Sequence, residues 1–426
     1  MALGTSGRRG RRSAVSGRVE NRLGGEFRRY AWAQAMSLTG SAMASLALAF
    51  AVLATGGGGG ALGLVMGARI LPLVVMLLLG GTAADRLGSR RVMLGADLLR
   101  CTAQGAFAVL LLTGSATMPA MLALAALSGV GEAGFGPAQS ALVPALVPAG
   151  QLLRANATLG MMRSGAAVVG PALAGVVVAS AGPAAVLAVD AGTFALSFAV
   201  LWSLRSVPSG SIAAGSTVSF AADLRAGWGE FRARSWLWTT TLHMSLFNLL
   251  VWGPYLVLGP LLAAQRPGGA GAWGAVMGGY GVGALLAGLT IRSRRPPRPL
   301  RTAVWATACF AAAPGALALG LPWIAVCAAA LVSGAGSAVC GALFESVNQQ
   351  RIPVELRARL AAYGSLGAFG LGPLGLVAAG PVAAVVGARW VLGAGAVWLL
   401  VATSVVALLP QVRRDGRTAG IVSPEN

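Results

Sequence analysis

The chain has 426 residues, of which 56% are hydrophobic and only 10% charged, and its mean hydropathy is +0.75. A soluble domain of that length does not have such a composition, so a polytopic membrane protein is predicted. The formal net charge of +20 comes from 32 basic residues, all arginine, that sit in short gaps beside apolar segments; anionic lipid headgroups, not nucleic acid, are the partners such a placement implies.

In chain order, residues 1–29 form a basic cytoplasmic tail, with its arginine run too far ahead of the first apolar segment to be an export signal. A hydrocarbon core of about 30 Å requires roughly 20 apolar residues per helix. Such stretches are predicted over 31–54, 61–81, 91–113, 119–139, 157–180 and 184–204. A Ser/Gly/Ala-rich linker with an amphipathic, interfacial end then occupies 206–234. Six further spans are predicted over 236–262, 272–291, 301–319, 322–345, 359–380 and 388–410, followed by a tail over 411–426. Arginines such as Arg86, Arg154, Arg232, Arg295 and Arg357 fill every second gap, whereas the opposite gaps hold only Arg266 and Arg389. The positive-inside rule therefore places both termini in the cytoplasm and the chain in the inner (plasma) membrane.

The chain also repeats. Leu146-Val147-Pro148-Ala149-Gly150-Gln151-Leu152-Leu153-Arg154-Ala155 is echoed about 205 residues later by Arg351-Ile352-Pro353-Val354-Glu355-Leu356-Arg357-Ala358-Arg359-Leu360. Each is followed by a Gly-rich helix with a Gly-Pro step, Gly170-Pro171 and Gly372-Pro373. The predicted fold is thus all-α, with twelve transmembrane helices in two pseudo-symmetric six-helix halves over 30–205 and 235–410. Carriers built this way bind substrate near the midplane, between halves that rock.

After the second span the chain reads Gly81-Thr82-Ala83-Ala84-Asp85-Arg86-Leu87-Gly88-Ser89-Arg90-Arg91. This resembles the signature loop of the major facilitator superfamily, with Ser89 in place of the first of two basic residues. Asp85 can accept hydrogen bonds and pair with arginine, which would make Gly81, Asp85, Arg86, Gly88, Arg90 and Arg91 a latch that breaks as the halves rock. The plainer alternative is a wet turn. The equivalent stretch Gly288–Arg295 keeps the charge and lacks the acid.

Over residues 27–410 the sequence is similar to the subgroup of macrolide-efflux proteins and the enterobactin exporter, through Phe27-Arg28-Arg29-Tyr30-Ala31-Trp32, Arg69-Ile70-Leu71-Pro72, Ala96-Asp97-Leu98-Leu99-Arg100 and Phe135-Gly136-Pro137-Ala138. Gly165, Gly170, Pro171 and Gly175 resemble the antiporter motif. The resemblance implies proton-coupled export of a small amphipathic molecule. The membrane arginine of many drug antiporters is missing from span four, where Glu132 is the only charge.

Ionisable residues at membrane depth are costly and mark functional sites. Glu132, flanked by Gly129, Gly131, Gly134 and Gly136, is the first candidate for the protonatable group; the alternative is an ion pair with an arginine such as Arg163. Asp97 and Arg100 lie three apart on one helix face, as a local pair supporting the loop latch. Arg69 and Asp190 share a depth in the outer half; they are candidates for a pair, or Arg69 for an anionic substrate group and Asp190, beside Glu132 and His243, for proton coupling. His243, the one histidine, is either a proton carrier or a helix-packing residue. Glu345 either mirrors Glu132 or is an interfacial acid. Asn248, Trp252 and Tyr255, with Arg69, are the candidate cavity residues.

Without lysine, the Gly56–Gly60 run cannot be a phosphate-binding loop, and one histidine supplies no metal site or catalytic set. The four cysteines fall in predicted helices, which argues against a disulfide framework. The chain is therefore expected to be no enzyme, to need no cofactor beyond a proton gradient, and to act as a monomer in the lipid bilayer on a small-molecule substrate. An uptake carrier of the same fold and a non-transporting receptor or scaffold are the alternatives.

Overall fold

A computed structural model describes residues 23–79, 88–204, 228–291 and 296–413, and helix is the only regular secondary structure among them. The helices are α1 (Gly25–Ala54), α2 (Gly59–Leu79), α3 (Ser89–Leu112), α4 (Met118–Leu146), α5 (Leu152–Ser203), α6 (Ser235–Ala264), α7 (Gly269–Ile291), α8 (299–318), α9 (Trp323–Arg351), α10 (354–386) and α11 (Ala388–Leu408).

Breaks in these helices follow from glycine and proline. Within α5 a single residue, Gly182, leaves helical geometry at φ 81°, a conformation that favours glycine, and divides the run into arms over 152–181 and 183–203. Helical geometry continues through Pro171. Pro254 offers no N–H, and α6 widens into a π-turn over Asn248–Trp252 just before it. A 3-10 turn over Ala308–Ala311 interrupts α8 ahead of Pro314, and α10 breaks at Leu371 before Gly372-Pro373.

Among the described residues, nine helices are long and apolar enough to cross a membrane. That differs from the twelve expected spans because α5 counts as one run, α8 is divided, and the apolar stretch Gly59–Val75 of α2 is slightly short of a full span. The expected interfacial helix is described only over 228–233, where Trp228 and Phe231 pack on Tyr363 of α10 with ring centroids 5.8 and 5.9 Å away.

Apolar packing differs between the two ends of the bundle. At the end holding the α1–α2 and α3–α4 turns, one continuous core joins early and late helices, with Leu62, Phe107, Met121 and Leu187 packed together with Tyr255, Leu258, Trp273 and Leu376. At the opposite end, where α1 begins and α11 finishes, the cores are separate: Phe27, Tyr30, Met93 and Leu201 form one, and Leu300 with Val347, and Leu237 with Ile352, form others. Glycines make the joined end possible. A Cβ on Gly175 would lie 2.9 Å from Gly274 Cα, and one on Gly380 only 2.1 Å from the Gly59 carbonyl carbon. Large apolar side chains such as Ile324, Val385 and Trp390 cover the exterior at 85%, 86% and 77% exposure, as a bilayer-facing surface requires.

Candidate transport site

A polar layer runs through α2–α5 at mid-depth. Arg69 stands about ten residues into α2 and Glu132 about fourteen into α4, which at 1.5 Å per residue brings both near the bilayer centre. Arg69 Nη2 lies 3.1 Å from Glu132 Oε2, and Nη1 donates to Ser45 of α1 at 3.2 Å. The pair sits there because α4 has no side chains in the way. A Cβ on Gly129 would fall 2.0 Å from the Arg69 carbonyl oxygen, and one on Gly131 2.7 Å from Arg100 Cγ. The Glu132 side chain keeps 39% of its surface accessible, so its carboxylate can be reached from outside the helix packing.

Closer to the terminus-bearing end, Arg100 Nη2 donates to Asp97 Oδ1 at 2.7 Å, and Ser197 of α5 donates to Asp97 Oδ2 at 2.6 Å. The Arg100 guanidinium is sandwiched between the rings of Phe135 and Phe194, 4.6 and 4.2 Å from their centroids. Asp190, fully buried, accepts from Gln104 Nε2 at 3.0 Å, and α1 passes so close that a Cβ on Gly40 would lie 2.6 Å from its Oδ1. Among the described residues, two of the three intramembrane carboxylates in α3–α5 therefore have an arginine partner and Asp190 has an amide.

In the later helices, a cavity of about 540 Å³ opens between α6, α9 and α10 with its floor on α8, a volume ordinary for small-molecule sites. Phe247, Trp252, Tyr280, Phe310 and Phe344 supply aromatic wall. Its polar lining consists of hydroxyl and amide groups, Thr240, Thr307, Ser337, Ser365, Asn248, Asn348 and Gln349, together with His243, Glu345 and Arg357. His243 Nε2 lies 3.1 Å from Thr307 Oγ1 and 3.4 Å from Thr403 Oγ1, with its ring stacked on Trp398. Thr307 donates its own hydroxyl proton to Val304 O at 2.7 Å, so it serves His243 as an acceptor. Asn248 Nδ2 donates to Met244 O and to Ala368 O, bridging α6 to α10.

Several residues singled out from the sequence are separated by the fold. Arg69 pairs with Glu132 rather than Asp190, and Arg163 is exposed on α5. Asn248 and Trp252 line the cavity, but Tyr255 lies one turn beyond it, fully buried against Trp273. Glu345 is exposed and accepts from Gln349. Gly81, Asp85 and Arg86 lie outside the described residues. Gly88 precedes α3 at φ 82°, Arg91 is exposed, and Arg90 donates to the carbonyls of Leu201 and Trp202, capping the end of α5. Gly170 meets α1 at Ala42, Gly175 meets α7, and Gly165 has nothing within 4 Å. Sequence reasoning missed Gln104, Ser197 and the glycines of α10. The last had a legible signal, since Gly165, Gly170 and Gly175 recur at the repeat offset as Gly370, Gly375 and Gly380.

The sequence profile of the Major Facilitator Superfamily matches residues 30–374. The chain belongs to the major facilitator superfamily. It is accordingly a multi-pass membrane transporter and not an enzyme. Its fold is similar to that of the nucleoside transporter NupG (15% identity, TM-score 0.71, covering 90% of this chain and 98% of that one). It is also similar to a bacterial homologue of the iron transporter ferroportin in an inward-facing state (16%, TM-score 0.68, 90% and 99%). A third similar structure is a bacterial homologue of the lysosomal transporter Spinster, inward-facing and occupied (14%, TM-score 0.68, 97% and 99%). No curated protein sequence matches the chain. Among the described residues, no group of three or more His, Cys, Asp or Glu could hold a metal, and the four cysteines are free.

Proposed function

We propose that this superfamily member is a proton-driven exporter of a hydrophobic or amphipathic small molecule, such as an antibiotic or siderophore, working by alternating access as a monomer. In this reading α8 and the two arms of α5 each count as spans, giving twelve in two six-helix halves with both termini in the cytoplasm. Pseudo-symmetry supports it: Gly175 meets Gly274 across one inter-half contact and Gly380 meets Gly59 across the other. In that orientation the joined core seals the outer face, and the separated cores leave the cytoplasmic side open, where an exporter loads.

The observation that carries the substrate class is the aromatic-walled cavity, whose polar groups are mostly neutral hydroxyls and amides and would orient an amphipathic ligand without requiring it to be charged. Coupling is assigned to Arg69–Glu132: a proton on Glu132 removes its attraction for Arg69 and frees α2 from α4. Resemblance to the macrolide-efflux and enterobactin-exporter subgroup supports outward direction.

The test uses inverted membrane vesicles containing a proton-sensitive dye, an acid-inside gradient, and a panel of macrolides, other hydrophobic antibiotics and siderophores. Lumenal alkalinisation by one compound, lost in Glu132→Gln, is the expected result. Alkalinisation at wild-type rate in that variant removes Glu132 from coupling, and silence across the panel shifts the reading to uptake.

A further inference from the structure

On the outside of the bundle, away from the transport cavity, a groove of about 310 Å³ lies between the start of α1 and the second arm of α5. Arg28 and Arg29 stand at its terminus-bearing end, and Trp32, Met36, Leu196 and Val200 line it further along. Both arginines are exposed, and among the described residues neither forms an ion pair. Glu26, the acid of the same helical turn, is not part of the groove. Trp32 and Trp202, each 67% exposed, mark this level as the membrane–water interface, where indole rings settle.

We infer that this groove is a binding site for one anionic phospholipid, its phosphate held by Arg28 and Arg29 and an acyl chain laid along Met36, Leu196 and Val200. Charge complementarity selects this occupant. The chain's own tail over 1–22 carries six arginines against the single acid Glu20, so it is repelled by the two guanidiniums. A zwitterionic lipid fills the apolar part equally well but brings its own cation to the arginines. The geometry also gives the lipid a consequence. Phe27 and Tyr30 anchor the start of α1, with Tyr30 accepting a hydrogen bond from Gln139 of α4 at 2.8 Å, so a lipid bridging α1 and α5 stiffens the end of the bundle where the cores are separate. The inference rests on the membrane-spanning reading alone and not on substrate or direction, so it can fail while the exporter stands, and the reverse.

The full-length protein in detergent is titrated with phosphatidylglycerol or phosphatidylcholine, and bound lipid is counted by native mass spectrometry. A basic side chain at the surface favours an anionic headgroup by about fivefold, so two give a preference of about 25-fold for phosphatidylglycerol. In R28Q/R29Q that preference should fall to near unity, with the melting temperature in phosphatidylcholine unchanged. Val200→Trp, which fills the apolar wall and leaves both charges, should reduce retention of either lipid. Equal retention of the two lipids by the wild type, a preference that survives R28Q/R29Q, or full retention in Val200→Trp would each overturn the site. Displacement of the lipid by inorganic phosphate alone would show that the arginines bind a free anion and that the groove contributes nothing, which also overturns it.

Discussion

Replacing Gly380 with alanine tests whether the joined end of the bundle is one of two alternating arrangements. The new Cβ would lie 2.1 Å from both the carbonyl carbon of Gly59 and the nitrogen of Gly60, against an ordinary carbon contact of about 3.5–4.0 Å. Both atoms are backbone, so no rotamer change relieves the clash, and α2 and α10 must part by more than about 1 Å. Overpacking of this kind costs about 1–3 kcal/mol. If the contact exists only when the outer face is closed, the cost falls on that state alone and shifts the equilibrium towards the opposite one by about 5- to 150-fold. The assay is the labelling rate of a single cysteine at Leu376, 2% exposed in this arrangement, by a membrane-impermeant maleimide added outside, after the four native cysteines are replaced. Labelling should accelerate in Gly380→Ala and stay at the parent rate in Gly165→Ala, where a Cβ meets nothing within 4 Å. Equal labelling in parent and Gly380→Ala, with no loss of melting temperature, would refute the reasoning.

Arg69→Met should destabilise the protein more than Arg69→Met combined with Glu132→Met, because the single change strands a charge; with Glu132 39% exposed the difference should be on the order of 1 kcal/mol in thermal unfolding, and equal losses would deny the pair any coupling. Gln104→Leu removes the amide that serves buried Asp190 and should cost about 1–3 kcal/mol in the same assay, most of it recovered by adding Asp190→Leu. Trp252→Ala should weaken binding of any transported compound at least about tenfold by equilibrium fluorescence, whereas Tyr255→Phe, outside the cavity and with a hydroxyl that makes no hydrogen bond among the described residues, should leave it unchanged.

The all-helical class and the order of the elements were legible because hydropathy and arginine placement report position along the membrane normal. Where the sequence echoes itself, the two segments adopt like local conformations: Val147 before Pro148 and Ile352 before Pro353 are both extended. Depth along a helix does not report the angle around it. Arg69 and Asp190 therefore shared a depth without sharing an interface, and the pairing of Arg69 with Glu132 depended on the close α2–α4 approach at Gly129. Tyr255 is one turn beyond Trp252 on the same helix, yet the closed core engulfs it, because a cavity's end is set by how neighbouring helices converge. The π-turn at Asn248–Trp252 likewise has no local signal except the proline two residues after it.

A single residue, Gly182, joins the two arms of α5, and Gly387, at φ 91°, does the same between α10 and α11. Neither hairpin has slack. A turn of one residue cannot uncoil, so torque applied to one helix is delivered to its neighbour, and each pair behaves as a stiff crank. Lengthening either joint by a few flexible residues would turn the crank into a tether, leaving each helix in place at rest but decoupling the strokes.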